Sequence, residues 1–543
     1  MGVEGELPPN GGTAPAKSDT ERSRMDVVAR GVFSTGSGTL VSNVTGLARQ
    51  LVFAWIYGAG RNMDAFLIAS IISQMVFSSI DSALSSTLIP VYSVLRERSD
   101  AEAQRFLAAV SSLVTVCTAV LALLLYLFAP LFVRLLAPGF GAAEAKLTTD
   151  LLRVMMPSLL FMGLSSVSVG YLQAKGRFSS PALMYIPRNI ILIVGAALLG
   201  RHFGISVLAW GTLLGAIFQL AMVLWPSVRS GAPASFVWEP LHDGIRTMLA
   251  RLPAVSANSF MYQAALIVDR ILASGLPAGM ISALNYAQVL LGPPLTLIGS
   301  LPTALFPSLS DMVAKHHGPQ LTRAVIRALN LTTFFAVPLT LFIVLFRVPL
   351  VAVLYDYGSF ETLALRRTAF GLAFFGAAFV SIAWNGVLGR TIFALGETRV
   401  LLTSAVASVL TTIITDLLLI HPLQQGGLAL GTSLGSWVST FMMLRILGRK
   451  MEGFRPWKTV GPLLGTALVG AAAFGFAALL VGRFLPSAVM AGFAVRLVTL
   501  MVGGVIGMAG YFGLHALSPV GRERLHEVFT LGGRVLGRVG VGG

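Results

Sequence analysis

The chain has 543 residues, 55% of them hydrophobic and only 11% charged, and its mean hydropathy is +0.80. Soluble domains carry about 25% charged residues, so this composition excludes a disordered chain, a water-soluble multidomain enzyme and a nucleic-acid-binding module. The formal net charge of +16 fits a membrane protein, in which excess Lys and Arg marks cytoplasmic loops rather than a nucleic-acid footprint.

Residues 1–24 mix Gly, Pro and charges of both signs without an apolar h-region, which predicts a disordered cytoplasmic tail and no signal peptide. Beyond them the apolar runs are continuous and lack period-2 alternation, as helices do. Backbone polar groups find no partner in lipid, so each span must close its own hydrogen bonds. Spans are predicted at 28–57, 64–95, 105–137, 149–174, 180–201, 205–226, 247–274, 281–313, 324–354, 364–394, 400–420, 427–447, 459–482 and 491–516, about fourteen at roughly 20 residues or more each. An even number puts both termini on one side. Basic residues gather at 96–105, 175–178, 315–317, 448–458 and 521–538. With the N-terminus inside, roughly two-thirds of all Lys and Arg are cytoplasmic, so the expected orientation is N-in, C-in.

The single cysteine, Cys117, excludes an internal disulfide and a Cys-based metal site. No phosphate-binding loop and no H-E-x-x-H motif occur, and no metal or cofactor is expected. Gly431–Gly435 matches G-x-S-x-G only inside an apolar helix, without the strand–turn–helix a nucleophile elbow needs. His316 and His317 read as solvated loop residues. Short extramembrane loops leave little material for an active site outside the bilayer, so a transporter is expected rather than an enzyme.

The segment from Gly58 to Pro90 has the spacing of that from Gly275 to Pro307, and Ser93 and Ser310 fall in register. This predicts an all-α membrane protein of two six-helix lobes, 25–229 and 247–450, related by a pseudo-two-fold along the membrane normal, with substrate between them. Spans 13 and 14 (457–517) stand outside the repeat, followed by a cytoplasmic tail at 518–543.

Ionisable residues within spans cost about 2.5–3.5 kcal/mol at the helix centre on insertion scales, so they face a wet cavity or a partner. Arg49 in span 1 and the Asp269–Arg270 pair in span 7 put an arginine on the first helix of each lobe. Two arginines converging between lobes suit a phosphate, which guanidinium grips bidentately. The competing readings are an Arg270 that pairs with Asp269 or snorkels outward, and an Arg49 that snorkels. Asp64 opens span 2, where a carboxylate also suits the positive helix end. Asp81 and Asp269 join it as candidates for gating or ion coupling. Asp416, in mid-span, is a cation site or a buried polar contact. Arg188 follows Pro187, whose ring frees a carbonyl that offers it a partner. Span 1 is small and polar from Ser34 to Gly46, Asn43 included, as suits a helix that lines a cavity, bends or packs closely.

Several stretches together resemble the MurJ/MviN family of lipid II flippases in the multidrug/oligosaccharidyl-lipid/polysaccharide exporter superfamily. They are Gly46–Arg49, Gly58–Gly60 and Asp64–Phe66 with Pro90; Ala137–Phe140 and Pro157; Arg177-Phe178 with Pro181 and Asn189; Val268–Gly275, Leu284–Ala287 and Leu305–Ser310; and Tyr357–Phe360 with Phe393–Thr398. The resemblance implies fourteen helices around a central cavity and a groove for a polyprenyl tail at spans 13 and 14. It also implies alternating access in the bacterial inner membrane. Cavity arginines would hold the pyrophosphate, and Arg49, Arg270 and Asp64 carry over by position. The chain departs from the family pattern at Asn43, Val76, Phe77 and Val289, where arginines are expected, and at Gln50 and Gln288, where acids are expected.

The expected function is a flippase for a polyprenyl-(pyro)phosphate-linked glycan, by default lipid II. A proton or monovalent cation, or the membrane potential, would drive it, with membrane lipids as its other contacts. Another envelope glycolipid, or cation-coupled export of a small molecule on the same fold, are the alternatives.

Overall fold

The computed structural model describes Gly38 and Arg522 together with residues 41–233, 235–314, 318–484 and 492–517. The expected tails at 1–24 and 518–543, apart from Arg522, lie outside the described residues, as do His316, His317 and most of 28–40. Every regular element among the described residues is an α-helix. In chain order they are α1 (41–57), α2 (Arg61–Arg98), α3 (Asp100–Leu127), α4 (Ala129–Leu136), α5 (Ala142–Met155), α6 (Ser158–Ala174), α7 (Ser179–Leu183), α8 (Tyr185–Phe203) and α9 (Ser206–Arg229) in the first half. The second half holds α10 (Asp243–Ser274), α11 (Met280–Ala314), α12 (Gly318–Leu345), α13 (Arg347–Tyr355), α14 (Thr362–Gly376), α15 (Phe379–Ala394), α16 (Thr398–Leu423) and α17 (Gln425–Lys450). The hairpin of α18 (Pro456–Phe484) and α19 (Phe493–Leu517) follows.

Each of the fourteen expected spans has its helix or bent helix pair. Among the described residues nine spans pass on length and hydropathy alone, and two pairs bent by 44° (α5–α6) and 40° (α14–α15) bring the number to eleven. The helices α1, α10 and α11 fill the other expected positions.

The breaks repeat between the halves. Phe128 parts α3 from α4 at φ −94°, ψ 16°, and Phe346 parts α12 from α13 at φ −100°, ψ 21°. A proline follows in the first turn of each short helix, Pro130 and Pro349, where its missing N–H has no helical acceptor to leave empty. Gly176 and Gly396 both turn left-handed, at φ 74° and 76°. After each, the next amide bonds back to the carbonyl five residues before, Arg177 to Leu172 at 2.8 Å and Glu397 to Ile392 at 3.1 Å, the Schellman closure of a helix. Twenty-eight positions later the chain turns left-handed again, at Gly204 and at Gln424. Gln424 lacks a glycine's freedom at φ 48°, a strained geometry for a side chain.

Between the lobes the linker 230–242 folds back on α3. Arg105 Nε donates to both carboxylate oxygens of Glu239 at 2.9 and 3.0 Å, and the Val237 amide donates to Ser112 Oγ at 2.9 Å. The Arg105 hydrogen bonds hold the Glu239 carboxyl below the usual carboxylate range, so this clamp is complete at neutral pH and loosens only in acid. The α18–α19 hairpin packs on α12 and α13 through Phe334, Phe346, Phe474 and Tyr511, and Tyr511 donates to the Phe334 carbonyl at 3.0 Å. Its outer side presents Leu468, Leu479 and Val505, as a lipid-facing surface should.

Helix hairpins approach closely where glycine removes the side chain. A Cβ on Gly427 of α17 would lie 2.5 Å from the Leu419 carbonyl oxygen of α16, whereas one on Gly465 of α18 would meet nothing within 4 Å. Gly427→Ala is therefore expected to lower the melting temperature in detergent, by the 1–3 kcal/mol or so typical of overpacking. Gly465→Ala should leave it level or raise it slightly. Equal effects of the two would contradict the packing described.

Candidate functional site

Midway along the helices the two lobes enclose a cavity of about 580 Å³. Its walls come from α1 (Ser42 to Gln50), α2 (Ile71 to Ser78) and α8 (Tyr185 to Asn189) on one side, and from α10 and α11 on the other. Small residues on α1 make room: Gly46 leaves space beside Asn189. Two arginines, Arg49 and Arg188, line the cavity and no acid does. They stand close enough for the like charges to repel.

The arginines are only partly satisfied. Arg49 Nη1 donates to Asn189 Oδ1 at 3.1 Å, and the Asn189 amide donates to Thr45 Oγ1 at 3.0 Å. The ring of Phe53 lies 5.7 Å from the Arg49 guanidinium. The Nε of Arg49 and the Nε of Arg188 are buried without a hydrogen-bond partner. The carbonyl that Pro187 frees, expected to hold Arg188, does not: among the described residues Arg188 makes no hydrogen bond. Asn43 reaches across to the second lobe, donating to Thr296 Oγ1 of α11 at 3.3 Å. Gln263 of α10 likewise reaches Ser78 of α2. Buried polar groups without partners are costly, and here two positive ones face the same space.

One end of this cavity is sealed by hydrogen bonds between the lobes. Asp64, 3% exposed, accepts from the Gly279 amide at 2.6 Å, from the Ser282 amide at 2.7 Å and from the Ser282 hydroxyl. Those amides open α11, so Asp64 caps a helix of the opposite lobe rather than its own. Tyr286 of α11 donates to the Gly58 carbonyl at 2.9 Å. The loop 356–361 adds the Ser359 amide to the Trp55 carbonyl and the Ser359 hydroxyl to the Ile56 carbonyl, both at 2.9 Å. Gly358, at φ 62°, leaves no room for a side chain, since its Cβ would fall 2.3 Å from the Trp55 carbonyl oxygen. The Gly139 amide donates to Ser274 Oγ at 3.1 Å.

The remaining candidates lie apart from the cavity. Arg270 is not among its lining residues; it acts electrostatically on both Asp64 and Asp269. The structure thus brings Arg188, not Arg270, to Arg49. Asp269 and Asp416 face each other between α10 and α16 in direct interaction. Asp416 is fully buried, and neither of its oxygens meets a donor. Its Oδ1 would lie 2.0 Å from a Cβ on Gly431, so α17 closes over it. Asp81 lies on α2 beside Ser166, and both it and Arg188 act electrostatically on Tyr185. Cys117 is exposed. Arg188 is the cavity residue that local reading leaves out of the candidate site; the polar Arg188-Asn189 pair inside an apolar span is its sequence signal.

The sequence profile of the family described as "Lipid II flippase MurJ" matches residues 53–500. The chain is 28% identical over 458 residues to the lipid II flippase MurJ of Burkholderia cenocepacia, covering 81% of this chain and 88% of that one. It is 26% identical over 500 residues to the probable lipid II flippase MurJ of Bdellovibrio bacteriovorus, covering 90% and 94%. Among solved structures it superposes on a lipid II flippase MurJ in an inward closed conformation with a TM-score of 0.75 at 21% identity, covering 89% of this chain and 98% of that one. An inward-facing multidrug resistance transporter of the MATE family shares the fold at a TM-score of 0.64 and 15% identity, over 76% and 97% of the chains.

If Asp64 is the cross-lobe cap of α11, Asp64→Asn should speed amide exchange at Gly279 and Ser282. Hydrogen bonds to charged groups contribute about 1.5–3 kcal/mol, which is roughly tenfold or more in protection. Unchanged protection at these two amides would show that the carboxylate does not hold this seam.

Proposed function

This chain belongs to the MurJ family of lipid II flippases, and from that premise we propose that it carries lipid II across the bacterial inner membrane by alternating access. The carrying observation is the cavity lined by two arginines and no acid. Guanidinium stays ionised even when buried, so Arg49 and Arg188 repel one another until an anion enters. A pyrophosphate supplies the missing acceptors for both buried Nε groups and neutralises the pair. Asn189 holds Arg49 in place for that contact. The amides and hydroxyls of Gln50, Gln74, Ser78 and Gln263 offer partners to sugar hydroxyls.

The Lys and Arg bias supports an N-in, C-in orientation, which puts the Asp64–Ser359 seam on the outer face. In this state the seam closes the cavity toward the outer face. Opening outward requires that the Asp64, Tyr286 and Ser359 bonds break together. The Asp269–Asp416 pair is the coupling site in this reading: a proton or monovalent cation there removes the repulsion between two carboxylates. Arg270, acting on both Asp269 and Asp64, relays that change to the seam. The polyprenyl tail lies along the α18–α19 hairpin.

One observation favours a second substrate of the same class. Asn43, Phe77 and Val289 line the cavity where the family resemblance leads one to expect arginines. With Arg188 as the second cation, the receptor holds fewer charges on a different wall, as would suit another polyprenyl-linked glycan.

Complementation separates the two. In a host depleted of its own lipid II flippase, the chain should restore growth and outer-leaflet lipid II. Arg49→Ala and Arg188→Ala should each abolish rescue, since removing one partner of a buried charged contact costs about 2–5 kcal/mol. Arg188→Lys should rescue partly, and Asp416→Asn should uncouple transport from the ion gradient without displacing substrate. Failure of the folded, membrane-inserted wild-type chain to rescue would move the assignment to the other glycan.

A further inference from the structure

A second hollow, of about 600 Å³, opens between α4 and α5 on the face that carries the seam. Arg134 of α4 and Lys146 and Arg153 of α5 line it, with Asp150 the one acid among its walls. The cations outnumber that acid three to one. Arg153 is held in place, its Nε donating to the Tyr126 carbonyl at 3.4 Å and its guanidinium 5.6 Å from the Tyr126 ring. Arg134 and Lys146 have no carboxylate partner among the described residues. Beside the hollow, Phe128, Leu131 and Leu135 stand about half exposed on the outer side of the same segment, the face that lipid covers. Cations are depleted from the outer side of inner-membrane proteins, so three converging on one cavity there call for a ligand.

We propose that this hollow binds the phosphate of a lipid in the outer leaflet. Its place beside exposed apolar side chains gives a lipid headgroup direct entry, with the acyl or prenyl chain running down Leu131 and Leu135. Basic pockets between membrane helices hold anionic headgroups in the same way. The site also touches the seam. Ala137, Pro138 and Phe140 line it, and Gly139 in their midst packs on the opposite lobe so closely that its Cβ would lie 2.5 Å from the Ser274 carbonyl oxygen. A lipid phosphate bound here rests against the loop that closes the two lobes. The inference uses the orientation proposed above to name the leaflet and nothing else from it, and its assay reads no transport.

The test is lipid retention by the full chain in native mass spectrometry, with phosphatidylglycerol, phosphatidylethanolamine, undecaprenyl phosphate and inorganic phosphate as separate probes. The variant is Arg134→Gln with Lys146→Gln, which leaves the Arg153–Tyr126 contact intact. Arg366→Gln, an exposed cation elsewhere, is the control. Phosphatidylglycerol retained over phosphatidylethanolamine, and weakened roughly tenfold or more by the double variant alone, supports the site with a phospholipid as its source. Undecaprenyl phosphate retained in the same variant-sensitive way, without phosphatidylglycerol, supports it with the transported class of lipid as source. Retention that ignores the variant, or that inorganic phosphate shows equally, overturns the proposal. A Tm of the double variant matching that of Arg366→Gln confirms that the loss is one of binding.

Discussion

A charge inside a bilayer must be answered by another group, because no water is there to answer it. This constraint organises the molecule. Asp64 is answered across the lobes by the opening amides of α11, and Asp356 by Arg496 of α19 at 2.6 Å. Arg49 is answered only in part, by one asparagine and a ring, and Arg188 by no hydrogen bond among the described residues. The structure therefore separates two kinds of buried charge. Those fully partnered by the protein hold one conformation together, and those left short of partners are the ones we propose meet substrate or ion.

The same logic explains why the seam is built from backbone as much as from side chains. Side-chain ion pairs would tie the lobes with long, flexible arms. Gly58, Gly139, Gly279 and Gly358 instead let main chain meet main chain, and in each case a Cβ would fall within 2.7 Å of the facing backbone. Such contacts are either fully made or absent, since packed surfaces are bistable rather than continuously deformable. That is the behaviour an alternating-access gate requires. A seam of this type also explains why the cavity residues that cross between lobes, Asn43 to Thr296 and Gln263 to Ser78, are uncharged: they add specificity of register without a desolvated charge to strand when the lobes part.

Much of the fold was legible because hydrophobic length is a strong signal in lipid, and each expected span has its helix. The repeat was legible from Gly58–Pro90 and Gly275–Pro307, and the structure extends it to the breaks at Phe128 and Phe346 and the turns at Gly176 and Gly396. Partners at long range were not legible. Asp64 reads locally as the cap of its own helix, and only the fold brings it to residues 279 and 282. Arg188 reads as a charge answered by a carbonyl that Pro187 frees, yet it lies beside Arg49 in the cavity wall. Arg270 reads as the symmetric mate of Arg49 or as the partner of Asp269, and only the fold adds Asp64 to its neighbours. In each case the residue type and its depth in the membrane were readable, and the identity of its neighbour was not, because it is set by how two lobes meet.

The loop 356–361 carries the last consequence of this arrangement. Its Ser359 bonds the first lobe at Trp55 and Ile56, while its Asp356 bonds Arg496 and its Tyr357 ring lies 6.4 Å from that of Phe493. One short segment is thus fastened on one side to the seam and on the other to the α18–α19 hairpin. The Asp356–Arg496 pair is the better shielded attachment, with side chains only 22% and 10% exposed, whereas the Ser359 bonds are exposed. In the alternating-access cycle we propose, the exposed bonds are the ones that give way at this face, because water replaces them at little cost. On that proposal the loop stays with the hairpin and the second lobe, and a helix pair outside the two-lobe repeat moves as part of the gate.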